Sequence, residues 1–389
     1  MTCSTIYINN KRHHYMGYSA LESKQADNLY GKDVVDQLEE FMLENDDVVI
    51  GAELMPDAHL GYSVPIGTAL ASKAVMPEVV GYDIYCSVSA TPTTFAIDEV
   101  YQNQDAIKAA IEERIPMGTK RYKEPERFYA ASYTPCSAAL QKFWTEKNYI
   151  EQMGTLGSGN HFIEIGISDD DPQVWFVIHT GSRGIGHDVA QHYMDILKNS
   201  NKHYFENESQ LCMDYLQDRH WLSRFVEDSH KSIKEKMSRI MQDLGIYGYA
   251  SVVNAIFCPH NYVEYNAERK AFIHRKGAID ASKDKKMVIP GSVTTGTFLA
   301  KGECDSMGLI SASHGAGRTM SRNQAKKTLK VEDFRQQVIE ADVAATVSSR
   351  NLDEAPDAYK DIIQVLEAQE FNMRISNFIK PIINCKGVN

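Results

Sequence analysis

Five histidines in this sequence share one local setting: a short apolar run, the histidine, then glycine or another small or polar turn residue. They are His161 in "GSGNHFIEIG", His179 in "FVIHTGSRG", His260 in "FCPHNYVE", His274 in "FIHRKGA" and His314 in "SASHGAGR". Taken singly, a strand-end histidine is most often a hydrogen-bonded residue near the surface. The recurrence is what points to chemistry. Asp83 and Cys86 in "GYDIYCSV" add an oxygen and a sulfur of the kind that complete a metal site. Asp, Cys and several His together can hold two divalent ions, because a thiolate bridges them while imidazole and carboxylate fill the remaining positions. Such a pair suits phosphoryl chemistry, since it stabilises charge on both the attacking and the leaving oxygen.

Three segments pair a basic side chain with glycine turns whose N–H groups can face an anion: "GSRG" (181–184), "HRKG" (274–277) and "HGAGRTMSR" (314–322). Each alone is also compatible with a solvated loop. The stretch "HTGSRGIGH" (179–187) leaves three readings open: a phosphate cradle, a metal ligand beside a turn, or a plain strand-to-helix connection.

These residues must be positioned by strands and helices that the apolar spacing marks out. "VWFVIHTG" reads as a buried strand and "HDVAQHYMDILKN" as the helix after its turn; "DVVIGAEL", "SVVNAIFC", "KAFIHRKGA" and "KMVIPGS" are further strand candidates. "SKQADNLYGKDVVDQLEEFMLEN", 105–116, 136–154 and 221–245 carry helical spacing. Between Met55 and Cys86, glycine and proline punctuate short apolar runs, which suits strands joined by tight turns. Strands and helices alternate without a steady βαβ rhythm, so the expected class is α+β, with central sheets surrounded by helices. No internal repeat or Pro/Ser/Gly linker divides the chain, and residues 1–389 are expected to form a single domain.

Composition narrows the function classes. The 389 residues are 43% hydrophobic and 24% charged, as in a folded protein. The net charge of -11 argues against sequence-blind adhesion to nucleic acid, though a locally basic groove is compatible with it. The N-terminal residues lack a signal-peptide pattern, and no run approaches the roughly 18 apolar residues needed to span a bilayer, so a soluble cytoplasmic protein without membrane contact is expected. Seven scattered cysteines without C-x-x-C pairs suggest neither a disulfide framework nor a zinc ribbon.

Together the motifs carry a family resemblance. "MPDAHLGYSVPIGTALAS", "VVGYDIYCSV", "GTLGSGNHFIEIG", "HTGSRGIGHDVA", "PHNYVE", "HRKGA", "IPGSV", "SHGAGRTMSR" and "DEAPDAYKDI", with a terminal "KG", follow the order and spacing of the RtcB-type RNA ligases from about residue 50 to 387. The resemblance implies a single α+β domain. It implies an RNA ligase that uses GTP and two manganese ions to join 3'-phosphate or 2',3'-cyclic phosphate ends to 5'-hydroxyl ends, in RNA repair, RNA splicing or tRNA processing. Carried over by position, the metal ligands are Asp83, Cys86, His161, His179 and His260, and His314 takes GMP. Asn160, Glu164, Ser292, Gly315, Ala316, Gly317, Tyr359 and Lys386 fall at nucleotide-binding positions. Glu164 and Lys386 would then form a carboxylate and ammonium pair suited to guanine. On this reading His179 is a ligand, and the turn after it forms part of the phosphate-facing wall.

The sequence departs from the family in two places. Where "GVDIGCGM" is usual it has "GYDIYCSV", so Tyr85 and Ser87 replace glycines, and bulk at Tyr85 is expected to narrow the path of the RNA. The segment before "MPDAHLG" is short, as in a divergent branch. The competing reading is a metal-dependent phosphodiesterase or phosphatase that activates water and never forms a covalent nucleotide. His314 in a glycine turn speaks against it, and His274 is the next candidate nucleophile.

Overall fold

The computed structural model describes residues 5–8, 11–14, 30–124, 134–169, 171–304 and 309–387. Sixteen strands occur among them. β1 (Thr5–Ile8) and β2 (Lys11–His14) form an antiparallel pair. β3 (Val49–His59), β4 (Ile66–Ser72), β10 (Ala271–Lys276) and β9 (Asn261–Asn266) form a four-stranded sheet in that order. β11 (Ala278–Asp280) pairs with β14 (Ser311–Ser313).

The eight-stranded sheet positions most of the predicted site. Its order is β12 (Lys286–Pro290), β13 (Thr297–Gly302), β16 (Met373–Lys386), β6 (Phe162–Ser168), β7 (Val174–Thr180), β5 (Ser87–Pro92) and β8 (Ile256–Pro259), with β15 (Ala344–Ala345) pairing β16 off this path. β7 is buried at every residue, which explains its unbroken apolar run: a strand covered on both faces has no polar side. Val88, Ala90, Phe162 and Val177 pack into one core beside Val288 and Leu299. Ile163, Ile165, Phe176 and Ile178 pack into another with Ile107 and Ile111 of helix Gln104–Arg114 and Ile233 and Met237 of helix Gln210–Asp243. Helix Lys32–Glu44 covers the four-stranded sheet through Leu38, Phe41 and Met42, which meet Leu54 and Leu70.

The mixture of helix and sheet agrees with the α+β class, and several boundaries differ from expectation. The long helix begins at Gln210, where the Ser209 hydroxyl accepts from the Cys212 N–H, and so extends well before Trp221. The 136–154 segment breaks at Asn148, whose φ of 50° separates helix Ala138–Glu146 from a 3-10 turn at Tyr149–Gln152. "SVVNAIFC" is strand only from Ile256, because β8 pairs with β5 alone over Ser87–Ala90; Val252 and Val253 stay exposed. Residues 23–29 of the first helical candidate lie outside the described residues. Among the described residues no helix is long and apolar enough to cross a membrane.

Candidate active site

Register brings the predicted residues to one end of the large sheet. Phe162 pairs with both Lys386 and His179, and Val88 pairs with both His179 and Cys258. Cys86 therefore stands just before β5, His161 just before β6, His179 near the end of β7, His260 just after β8 and Lys386 at the end of β16. The His260 N–H donates to the Cys86 carbonyl at 2.9 Å, tying two of these termini together.

The side chains form a chain of close contacts. Asp83 Oδ2 lies 3.0 Å from His161 Nε2, Cys86 Sγ lies 3.4 Å from His161 Nε2 and 3.3 Å from His179 Nε2, and His179 Nε2 lies 3.3 Å from His260 Nε2. The His260 and His314 rings follow at 4.9 Å between centroids. Asp83 is aimed by its other oxygen, which accepts from the Ser182 N–H at 2.8 Å and the Ser182 hydroxyl at 3.1 Å. That contact fixes a glycine before Ser182, because a Cβ at Gly181 would stand 2.2 Å from Asp83 Oδ1.

The protonation of this donor set bears on whether it suits a metal. Burial pushes the Cys86 thiol far up and the His179 and His260 imidazoles far down. Burial opposes ionisation of Asp83 too, but the hydrogen bond and charge of His161 hold its carboxyl low. The Nε2 atoms of His161, His179 and His260, Cys86 Sγ and Asp83 Oδ2 bring their lone pairs together in a buried space. A divalent cation satisfies these lone pairs together and converts the thiol to thiolate, so the residues fit a metal. Cys86, His161 and His179 each have a ligand atom within 4.8 Å of the others. A thiolate with imidazoles favours a transition ion over magnesium.

His314 follows β14 and lines a cavity of about 770 Å³ together with His179, Asn160, Tyr359 and Lys386. Its Nδ1 lies 2.7 Å from Oδ2 of Asp57, a fully buried carboxylate, and its backbone N–H donates to the same oxygen at 3.2 Å. The ring contact is electrostatic, the atoms not being aligned as a hydrogen bond. Asp57 lies in "MPDAHLG", and nothing in sequence spacing alone links it to His314. The turn after His314 closes tightly on Asp57: a Cβ at Gly317, which has φ 73°, would stand 2.1 Å from the Asp57 carbonyl.

Gly315, Ala316 and Gly317 share this wall, joined by Arg318 and Arg322. Lys386 does not pair with Glu164. Its Nζ donates to Glu354 Oε2 at 2.5 Å, and Tyr359 and Arg322 donate to Glu354 as well. Burial alone would raise the Glu354 carboxyl, but Lys386 and Arg322 hold it at about 2. Glu164 is buried behind the cavity, accepting from Thr297 and Asn384, and burial raises it to about 7. Ser292 turns its hydroxyl to Thr294 and Thr295, one residue beyond the cavity-lining Gly291. Glu354 stands in "DEAPDAYKD", where nothing in the neighbouring residues marks the cations that meet it.

His274 is fully buried within β10, and its Nε2 accepts the Met76 N–H at 2.9 Å, so it is a structural histidine and not a spare nucleophile. The basic side chains of "HRKG" are taken up inside the protein: Arg275 is buried against Tyr262, Ser311 and the Glu264 carboxylate, and Lys276 donates to the Val64 carbonyl. Arg183 braces two loops through the Gly118 carbonyl and the Thr155 hydroxyl. Tyr85 packs its ring near Phe257 and Tyr262 and is not part of the His314 cavity wall. Its φ of 64° is a left-handed conformation that glycine adopts without a steric penalty.

The model of the family described as tRNA-splicing ligase RtcB matches residues 42–149 and 136–387. The chain belongs to the RtcB family. It is 32% identical over 368 residues to the RNA-splicing ligase RtcB of Escherichia coli K12, covering 86% of this chain and 89% of that one. It is 28% identical to the tRNA-splicing ligase RtcB of Nanoarchaeum equitans, covering 86% and 87%, and 26% identical to RNA-splicing ligase RtcB homolog 1 of Entamoeba histolytica, covering 87% and 81%. The resemblance of the motifs and the RtcB relatives thus agree over most of the chain.

Proposed function

We propose that this protein is an RNA ligase acting as one domain, joining 3'-phosphate or 2',3'-cyclic phosphate ends to 5'-hydroxyl ends with GTP and manganese, through GMP carried on His314. The observation that carries this reading is His314 itself: an imidazole on a cavity wall, next to the cluster of metal-ligand type and backed at Nδ1 by a buried carboxylate. The Asp57 charge favours the tautomer with the proton on Nδ1, leaving the Nε2 lone pair for attack. His314 attacks the α-phosphorus of GTP, an N–P bond forms, and the bond to the β-phosphate oxygen breaks as pyrophosphate leaves. The RNA 3'-phosphate then takes GMP from His314. The 5'-hydroxyl attacks that activated phosphate, and GMP leaves as the strand is sealed. A cyclic phosphate is first opened to the 3'-phosphate.

Asp83, Cys86, His161, His179 and His260 would hold two manganese ions, which would supply positive charge to phosphate oxygens. Asn160, Tyr359, Lys386 and the Gly315–Ala316–Gly317 turn hold the nucleotide from the cavity wall. Glu164 and Ser292 support that wall. Labelling the full chain with α-phosphate-labelled GTP and manganese is expected to leave covalent GMP on the protein, stable to denaturation. Hydrolysis of RNA end phosphates with no adduct would favour the water-activating phosphodiesterase instead.

A further inference from the structure

Beside the cavity runs a row of rings that the catalytic reading leaves unused. Tyr62 lines the cavity and is 83% exposed, an unusual position for a large aromatic side chain. Its ring meets Tyr82 edge to face at 5.8 Å between centroids. Tyr82 in turn stacks on His187 at 4.8 Å, with 17° between the ring planes. His187 is the second histidine of "HTGSRGIGH", exposed on helix Arg183–Asn199. The row therefore starts at the His314 cavity, passes the residue next to Asp83, and continues onto the surface.

The backbone under Tyr62 is held firmly although its ring is not covered. Gln37 of helix Lys32–Glu44 donates to the Gly61 and Tyr62 carbonyls at 2.9 and 2.6 Å and accepts the Gly61 N–H at 3.2 Å. The turn leaves no room for a side chain at Gly61, where a Cβ would stand 2.3 Å from the Val64 carbonyl. A ring presented on a pinned backbone loses little entropy when something flat lies against it. Aromatic rings in series, leading to a site for phosphate chemistry, fit the unpaired bases of a single-stranded nucleic acid, and stacking accepts any base.

We propose that Tyr62, Tyr82 and His187 form the track on which the bases of an RNA end stack as it enters the cavity. This rests on the RNA ligase reading above. The test uses the full chain and short single-stranded RNAs carrying 2-aminopurine, one at the nucleotide bearing a 3'-phosphate, the other at the nucleotide bearing a 5'-hydroxyl. Stacking quenches the probe, and quenching in either arm is expected, identifying the end held. Tyr62→Ala should weaken that binding about tenfold or more. It should raise KM for RNA in ligation more than it lowers kcat, and Tyr62→Phe should restore both. His187→Leu, on an exposed helix face, gives a second variant that does not depend on the Tyr62 turn and should weaken binding in the same direction. A wild-type protein that ligates RNA while both variants bind and quench as it does would overturn the track and leave the ligase reading standing. A wild-type protein that neither binds RNA nor joins its ends would overturn the ligase reading and the track together.

Discussion

At the scale of the residue, His161, His179 and His260 were legible as candidate ligands because each stands at the end or beginning of a strand, where apolar periodicity stops at a turn. His274 has the same signature and a different role, since the surrounding letters do not reveal that β10 continues past it and that Met76 occupies its nitrogen. Asp57 was hidden for the opposite reason: its partner is 257 positions away, and only folding brings them together. Its role predicts that Asp57→Asn, which keeps the shape and loses the charge, slows GMP transfer to His314 by on the order of 10² to 10⁴. Single-turnover labelling with GTP measures this, and unchanged metal content would show that the cluster beside it is intact.

At the scale of the element, the strands that carry the candidate ligands were recognisable from their apolar runs, whereas their register was not. Register is what sets Cys86, His161, His179 and His260 at a common sheet end. The reach of β8 and the start of the long helix are not legible in apolar spacing, because pairing partners and a capping serine decide them. Tyr85 tests the local backbone. Its left-handed φ disfavours any residue with a Cβ, while its ring packs near Phe257 and Tyr262. Tyr85→Gly and Tyr85→Ala both lose the ring, but only glycine relieves the backbone, so the glycine variant should be more stable than the alanine variant by about 1 to 2 kcal/mol. Urea denaturation of the two variants provides the comparison.

At the scale of the whole molecule, β16 brings the end of the described chain back between β6 and β13 and delivers Lys386 to Glu354. Removing the Glu354 charge leaves the largely buried Lys386 ammonium without its carboxylate, while Arg322 keeps Asp353, so Glu354→Gln should cost about 3 kcal/mol near neutral pH. Its folded pKa of about 2 lies below the ordinary 4.5. The carboxylate's contribution is therefore complete above about pH 4.5 and is lost as pH falls toward 2. The stability gap between wild type and Glu354→Gln should narrow over that window in urea midpoints taken from neutral to acid pH. On the proposed reaction, nucleotide transfer and strand sealing are separate steps, with His314 needed for the first. The most direct measurement gives His314→Ala two substrates with manganese: RNA with a plain 3'-phosphate plus GTP, and RNA whose 3'-phosphate already carries GMP. Failure on the first with sealing of the second, at metal content equal to wild type, is the predicted result; normal covalent GMP labelling of His314→Ala would contradict it.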